Sequence, residues 1–214
     1  MKPYLVKMPK LVQRIFPKRV WAFTENTSAV YLTFDDGPIP EVTPWLLREL
    51  NKHKAKATFF CIGENIRKHP KIFKSLISEG HSIGNHTYHH LNGSQTKVSE
   101  YIENVHLSQA EANNQSSVNN NQFLFRPPYG RITSKQSKIL QDQGYKIIMW
   151  DVLSADFDPK VSEKKCLQNV IKNIEPGSIV VFHDSLKAEN NLRYSLPKVL
   201  EYINKKGWKC EAIS

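Results

Sequence analysis

The sequence lacks the features that mark several classes of protein. No apolar run approaches the roughly 18 residues that a membrane-spanning helix needs, and no repeat or linker divides the chain. Only three cysteines occur, with a spacing that fits neither a zinc knuckle nor a disulfide framework, so we expect free thiols at Cys61, Cys166 and Cys210. Hydrophobic residues make up 40% of the chain and charged residues 23%, which predicts one globular domain.

Acidic residues are absent from the start of the chain, where the first one is Glu25. Before it stand six basic residues, Lys2, Lys7, Lys10, Arg14, Lys18 and Arg19. Apolar residues interleave with them at spacings near three and four, so residues 1–21 form a candidate basic arm for an anionic membrane surface. The alternative is an arm packed on the domain with its charges in water. Prolines at positions 3, 9 and 17 interrupt any long helix there.

The same segment also bears on location and partners. It has neither an unbroken apolar stretch nor a small-residue cleavage site, which is a poor secretory signal and favours a cytoplasmic or membrane-peripheral protein. No basic stripe interleaved with aromatic residues recurs beyond the arm, so we expect no nucleic acid partner. We expect a monomer.

From residue 29 onward, short β-rich runs alternate with helical stretches. The predicted strands are Ala29–Phe34, Ala57–Cys61, Ser82–Asn85, Gln122–Phe125, Lys146–Trp150, Ser178–Phe182 and Trp208–Ile213. The predicted helices are Val42–Lys52, Glu64–Glu79, Lys97–Asn113, Ser134–Gln143, Ser162–Asn173 and Asn191–Lys205. The polar stretch Asn113–Gln122 is predicted to be a loop. This alternation predicts an α/β fold with a mostly parallel sheet, open or closed into a barrel.

Unusual polar residues follow several of these strands, at the end where parallel α/β proteins gather their reactive groups. Asp35 and Asp36 stand directly after the first strand, and a turn at Gly37 and Pro38 lets both carboxylates face the same space. Two adjacent carboxylates repel one another, and a structural role seldom needs both. An ordinary Asp-Gly turn is the alternative.

Three histidines follow the third strand. His86 and His90 stand at i and i+4, a spacing that puts two imidazoles on one face of a helical turn, and neutral imidazole binds zinc and other transition metals. His89, at i+3 from His86, is an equally spaced second ligand. Spacing alone therefore cannot decide whether His89 or His90 is the second ligand. The alternative to a metal site is a polar turn exposed to water.

Further polar residues follow the later strands. His183 ends the apolar strand that begins at Ser178, Asp156 comes shortly after the strand that ends near Trp150, and Arg126 follows the strand Gln122–Phe125. Each alone has a structural interpretation, as a core histidine or a surface ion pair. Five clusters after five strands together indicate a metal site with an acid–base pair.

These clusters, in this order, resemble the motifs of the polysaccharide deacetylase family with the NodB homology domain (carbohydrate esterase family 4). Residues 33–38 match the first motif, residues 85–90 the second and residues 126–130 the third. The resemblance implies a distorted, incomplete (β/α) barrel with a metal at the carboxyl ends of its strands. It assigns residues 29–214 to the catalytic domain and leaves residues 1–28 as the basic N-terminal arm.

The resemblance also implies the metal ligands. By it, Asp36, His86 and His90 bind one divalent ion, which we expect to be zinc, with cobalt or another divalent ion as the alternatives. Three protein ligands leave coordination positions open, as a catalytic metal site requires. Such an ion lowers the pKa of a bound water towards about 7 and polarises an acyl carbonyl.

The catalytic roles come from the same resemblance. Asp35 would be the general base that takes the proton of the attacking water, and Arg126 would hold it ionised. The main-chain N–H of Tyr129 would stabilise the oxyanion. His183 would protonate the departing amine, and Asp156 would keep that imidazole charged and positioned. A carboxylate partner raises the pKa of an imidazole, which suits a general acid at neutral pH.

The chain departs from the family pattern at two positions. Phe157 follows Asp156 where the family usually has Trp, and Val181 stands where it usually has Leu. With Pro128 and Tyr129, these residues are expected to bind the substrate near the acyl methyl group. Their changed shape bears on which acyl group and substrate fit rather than on hydrolysis.

The predicted function is metal-dependent hydrolysis of an N-acetyl group from an amino sugar in a glycan, with release of acetate. One alternative is an O-acetyl ester hydrolase acting on an acetylated polysaccharide. The other is a metal-bearing glycan-binding module without turnover. Intact Asp35 and His183 argue against that last alternative, because binding needs neither a base nor an acid.

Overall fold

The alternating strands and helices form one parallel sheet with helices packed on it. The computed structural model describes residues 5–23, 28–116 and 123–214. Within these ranges the strands are β1 (Ala29–Asp35), β2 (Thr58–Cys61), β3 (Ser82–Asn85), β4 (Phe123–Phe125), β5 (Tyr145–Ile147), β6 (Val152–Leu153), β7 (Ile179–His183) and β8 (Lys209–Cys210). The helices are α1 (Lys10–Ile15), α2 (Thr43–Lys52), α3 (Gly63–Lys68), α4 (Pro70–Ser78), α5 (Val98–Gln115), α6 (Ser134–Asp142), α7 (Glu163–Ile171) and α8 (Glu189–Lys205).

The strand order puts β1 near the middle of the sheet. The order is β5-β4-β3-β2-β1-β7-β6, with β8 pairing the start of β1, and each of these pairings is parallel. All seven residues of β1 are buried, which matches an apolar strand covered on both faces. Asp35, the last residue of β1, is the register partner of Phe60 on one side and His183 on the other. The carboxyl ends of the strands therefore converge.

Alternation along β1 sends neighbouring side chains to opposite faces of the sheet. Phe34 joins the main core, where its ring lies 5.3 Å from that of Phe59 and 6.1 Å from that of Phe182. Thr33 and Asp35 face the other side, where both contact the buried Arg126. The apolar face of the sheet thus anchors the strands, and the inner face carries the polar groups.

The basic arm crosses the gap between the two edge strands of this sheet. Its residues 6–8 pair with β6, through Leu153 N–H to the Val6 carbonyl at 2.8 Å and Met8 N–H to the Asp151 carbonyl at 2.8 Å. Val20 bonds just beyond β5, donating to the Ile147 carbonyl at 2.9 Å and accepting from Met149 N–H at 2.7 Å. The described part of the arm therefore packs on the barrel across its open seam.

The structure differs from the sequence-based elements in several places. Helix α1 was not expected, and β8 spans only Lys209–Cys210 of the predicted strand Trp208–Ile213. The helix predicted over Glu64–Glu79 is two helices, because Pro70 restricts the preceding His69, whose φ of −129° lies outside the helical region. Strand β6 was not expected. Helix α5 continues to Gln115, into the predicted loop Asn113–Gln122, whose residues 117–122 lie outside the described chain. No helix in the described ranges is long and apolar enough to cross a bilayer.

Candidate active site

Three of the predicted ligands meet at the carboxyl end of β1. Oδ1 of Asp36 lies 3.8 Å from Nε2 of His86 and 3.3 Å from Nε2 of His90, and the ligand atoms of all three residues lie within 4.8 Å of one another. Oδ1 of Asp36 is buried and has no hydrogen-bond partner within the described residues. A buried carboxylate oxygen facing two imidazole nitrogens is a donor set that suits zinc, so these residues fit the expected ion.

The two imidazoles are held with Nε2 available. Nδ1 of His86 lies 2.7 Å from the Arg126 carbonyl oxygen and donates to it, which leaves the lone pair of Nε2 for a ligand. Nδ1 of His90 lies 3.1 Å from the hydroxyl of Tyr129. Burial lowers the pKa of His86 to about 4, so its ring is neutral at pH 7. His89, which spacing left open as a ligand, lies outside the cluster, with Nδ1 3.7 Å from the Glu64 carboxylate.

Asp36 owes its position to a strained turn that other side chains hold. Its φ is +84°, in the region that non-glycine residues rarely adopt. The side-chain amide of Asn65 donates to the Asp36 carbonyl at 2.7 Å, and the next N–H, of Gly37, donates to Oδ1 of Asp184 at 3.0 Å. A Cβ at position 37 would overlap that carboxylate, so only glycine fits there.

Charge around the cluster favours an ionised Asp36. Burial alone would raise its pKa, but the imidazoles of His90, His183 and His86 outweigh burial and hold the pKa below its usual range. Burial, together with the charge of Asp36, raises the pKa of Asp184 to about 8. Asp184 accepts a second hydrogen bond from the hydroxyl of Thr43 at 2.6 Å, so both of its oxygens are engaged.

Asp35 is held by a fully buried arginine. Nη1 of Arg126 lies 2.7 Å from Oδ1 of Asp35 and 2.6 Å from the hydroxyl of Thr33. The other guanidinium nitrogens donate to the carbonyls of Ile148 and Met149, and the group lies 4.1 Å from the centroid of a phenyl ring beneath it. Burial lowers the pKa of Arg126 against the opposing effect of the Asp35 charge. Each of the three guanidinium nitrogens donates at least one hydrogen bond, so the arginine fixes the Asp35 carboxylate in place.

His183 is held by a buried carboxylate in the same way. Oδ1 of Asp156 lies 2.8 Å from Nδ1 of His183, and Oδ2 accepts the His183 main-chain N–H at 2.8 Å. The hydroxyl of Ser154 donates to Oδ1 of Asp156 at 3.0 Å. Burial lowers the pKa of His183, but the charge and hydrogen bond of Asp156 outweigh it and raise the pKa to about 9. The ring is therefore protonated at neutral pH, with Nε2–H pointing away from Asp156.

The residues expected to bind substrate differ in how deeply they are buried. Tyr129 has φ +59° and an exposed side chain whose ring lies 4.6 Å from that of His90, and Pro128 is buried beside it. Phe157 packs against His183, with ring centroids 5.0 Å apart. Val181 is buried in the main core, two residues below His183 on the same face of β7. Substrate contact by these four residues remains a prediction.

Comparisons with known proteins agree with this geometry. Residues 23–148, more than half of the chain, match the sequence profile of the family described as polysaccharide deacetylase. The chain belongs to the polysaccharide deacetylase family. A solved structure of the Bc1960 peptidoglycan N-acetylglucosamine deacetylase superposes with a TM-score of 0.85 and 32% identity, over 94% of this chain and 93% of that one. The predicted distorted, incomplete (β/α) barrel is confirmed.

Two proteins with similar sequences are also named as deacetylases. A peptidoglycan-N-acetylglucosamine deacetylase of Bacillus cereus is 41% identical over 170 residues, which are 78% of this chain and 61% of the relative. This chain therefore aligns with less than two thirds of that protein. A chitooligosaccharide deacetylase of Azorhizobium caulinodans is 35% identical over 164 residues, 75% of this chain and 76% of the relative.

Sequence reasoning missed several residues that support the site. Thr33 bridges Arg126 and the Val180 carbonyl, to which its hydroxyl donates at 2.8 Å. Asn65 and Asp184 hold the turn at Asp36 through hydrogen bonds with the Asp36 carbonyl and the Gly37 N–H. Asp184 could have been recognised, because it directly follows His183 at the end of a strand. Nothing in the sequence indicates a contact between Asn65 and Asp36.

Proposed function

We propose that this polysaccharide deacetylase removes the N-acetyl group from an amino sugar of a glycan and releases acetate. The supporting observation is that a candidate base and a candidate acid both lie beside the cluster that could bind a metal. Asp35, paired with Arg126, is the candidate base, and His183, paired with Asp156, is the candidate acid. Asp35 and His183 are register partners on neighbouring strands, so their side chains leave the sheet at the same level.

The cluster of Asp36, His86 and His90 would hold the divalent ion, which we propose to be zinc. When bound, the ion would acidify a water molecule and polarise the acyl carbonyl. The chain orients the two imidazoles before the ion arrives, through the Arg126 carbonyl on His86 and the Tyr129 hydroxyl on His90. Ligands oriented in this way bind a metal more tightly than free side chains do.

The two acid–base groups would move the protons of the reaction. Asp35 takes the proton of the attacking water as the oxygen–carbon bond forms. The carbon–nitrogen bond then breaks, and Nε2 of His183 gives its proton to the departing amine. Because the pKa of His183 is about 9, this proton is present at neutral pH. The main-chain N–H of Tyr129 is proposed to stabilise the negative oxygen of the intermediate.

The substrate class is proposed from the relatives. Those named above act, by their names, on peptidoglycan N-acetylglucosamine and on chitooligosaccharides. N-Acetylglucosamine is common to both glycans. We therefore propose an N-acetylglucosamine residue within an oligosaccharide or polysaccharide as the reacting sugar. A relative from Bacillus subtilis is named for N-acetylmuramic acid, so that sugar belongs in the test.

The direct test measures acetate released by zinc-loaded protein from chitooligosaccharides, peptidoglycan fragments and acetylated xylan. We expect release from the first two and little from xylan. Release from xylan alone would instead identify an ester hydrolase. Glycan binding without acetate from any substrate would identify a binding module. Each of these results would overturn the proposal.

The acid is tested by changing the leaving group. His183→Ala should lower the rate on an N-acetyl substrate by about 10²–10⁴-fold, because an unprotonated amine anion leaves poorly. The same variant should lose far less activity on an activated aryl acetate, because a phenolate departs without a proton. His89→Ala is the matched control, since this neighbouring imidazole lies outside the metal cluster. Equal losses on both substrates would contradict the role proposed for His183.

A further inference from the structure

The basic arm presents an unusual concentration of exposed apolar side chains. Seven large hydrophobic residues are exposed within the described chain, and four of them lie between positions 5 and 16. We define the arm patch as these four residues with the basic residues among them: Leu5, Leu11, Ile15, Phe16, Lys10, Arg14 and Lys18. We propose that the arm patch docks on the surface of an anionic lipid bilayer.

The patch has a defined outer face because the arm is fixed from beneath. Met8 and Val12 pack against a cluster of buried residues that includes Trp21, Phe125 and Met149. Leu11 and Ile15, four residues apart on α1, consequently face outward, with 69% and 60% of their surface exposed. Soluble proteins rarely expose contiguous apolar surface without a use for it, and such surface marks contact with a membrane or a protein.

Ion pairs on the inner side of the arm add to its fixation. Nζ of Lys7 lies 2.7 Å from the Asp151 carboxylate and 2.7 Å from that of Glu175. The indole N–H of Trp21, a buried residue, donates to the Phe16 carbonyl at 3.3 Å. The arm therefore presents its patch in the folded protein and does not have to order on binding.

The charges of the patch select the partner. Lys10, Arg14 and Lys18 are exposed, and no acidic group lies within 4 Å of them in the part of the chain described. Basic side chains next to exposed aliphatic ones fit the boundary between anionic headgroups and acyl chains. The three charges face outward with the apolar side chains, so both kinds of contact form together.

Other occupants fit the patch less well. A second copy bound about a two-fold axis would bring the same three cations against one another, which is repulsive. A single-stranded nucleic acid prefers several aromatic rings on which bases stack, whereas the patch has one ring, that of Phe16, and the Arg19 guanidinium already lies 4.3 Å from its centroid. An anionic bilayer satisfies the charges and buries the aliphatic side chains at once.

The test measures binding of the whole protein to vesicles of phosphatidylglycerol and phosphatidylcholine, by flotation, at low and high salt. We expect binding to anionic vesicles that weakens with salt. The triple change Lys10→Gln, Arg14→Gln, Lys18→Gln should lower the partition coefficient by about a hundredfold, at about fivefold per basic residue. Leu11→Ser with Ile15→Ser should lower it by about tenfold or more.

Matched controls use the same changes elsewhere on the surface. Leu107→Ser alters an exposed leucine, and Lys71→Gln, Lys74→Gln, Lys164→Gln removes three exposed lysines. These variants should bind as the unchanged protein does, and circular dichroism should show every variant folded. Equal binding to neutral and anionic vesicles would overturn the proposal. So would binding that the arm variants leave unchanged, or a dimer lost on Leu11→Ser without vesicle binding.

Discussion

The charge on His183 depends on Asp156, and removing that charge should move the pH dependence of the reaction. Asp156 is fully buried and is the carboxylate hydrogen-bonded to this imidazole. Asp156→Asn keeps the size of the side chain and an oxygen acceptor but removes the negative charge. We expect the pKa of His183 to fall from about 9 towards its ordinary value of 6.5.

The size of the effect follows from that shift. A group with a pKa of about 9 is roughly 90% protonated at pH 8, whereas one of 6.5 is roughly 3% protonated. Loss of the acid form alone should therefore lower kcat/KM at pH 8 by about thirtyfold. The raised pKa also stabilises the fold, by about 3 kcal/mol below pH 6.5, and this contribution is lost as pH rises through about 9.

The assay is acetate release from a chitooligosaccharide by zinc-loaded protein between pH 5 and 10. The alkaline limb of kcat/KM should move down by about two pH units in Asp156→Asn. Ser154→Ala is the control, because it removes a hydrogen bond to Asp156 and leaves the charge. An alkaline limb that stays in place in Asp156→Asn would show that the Asp156 charge does not set the pKa of His183.

The remaining predictions concern the metal ligands, the turn that carries one of them, and the buried arginine. His86→Ala should lose bound zinc, since two ligands hold it poorly, whereas His89→Ala should keep it, as metal analysis would show. Asp184→Ala should weaken zinc binding by about 10–100-fold, because the Asp184 carboxylate holds the turn that carries the ligand Asp36. Asp151 is also buried but does not contact that turn, so Asp151→Ala should leave zinc binding unchanged. Competition with a chelator measures the zinc affinity of both variants. Arg126→Met should lower the free energy of unfolding by about 3–5 kcal/mol, because a buried carboxylate loses its partner; denaturant titration measures this.

Different results would contradict each of these three. Zinc kept by His86→Ala but lost from His89→Ala would reverse the ligand assignment. Equal losses of zinc affinity in Asp184→Ala and Asp151→Ala would assign the effect to general stability rather than to the turn. Unchanged stability in Arg126→Met would mean that its ion pair with Asp35 adds no net stability.

Most of the strands and helices could be predicted because their apolar residues follow a simple period. The strand ending at Asp35 and the helix from Ser134 are found within a residue or two of their predicted bounds. Strand β6 could not be predicted, because it has only two residues, and the run from Lys146 to Leu153 is interrupted only by Asp151 and contains no glycine or proline to mark a turn. Within that run the chain first pairs with β4, then hydrogen-bonds to Val20 of the arm, and finally pairs with β7. Only tertiary contacts determine these changes of partner.

The candidate site was visible because its groups lie at strand ends, and motif resemblance then assigned their roles. Spacing could not choose between His89 and His90; the structure separates them, because His90 turns towards Asp36 and His89 towards Glu64. The support given by Asn65 was hidden, because its contact with the Asp36 carbonyl arises only when α3 packs beside the turn. Local sequence carries no information on such contacts.

Asp35 is proposed to act as the base of a metal-dependent deacetylation. The most direct measurement is acetate release by Asp35→Asn against the unchanged protein, each with its bound zinc quantified. Asparagine keeps the shape of the side chain, and Asp35 is not one of the three residues of the metal cluster. We expect about one zinc per chain in both proteins and a rate about 10²–10⁴-fold lower in the variant. A variant that binds zinc and releases acetate at the unchanged rate would contradict this role of Asp35.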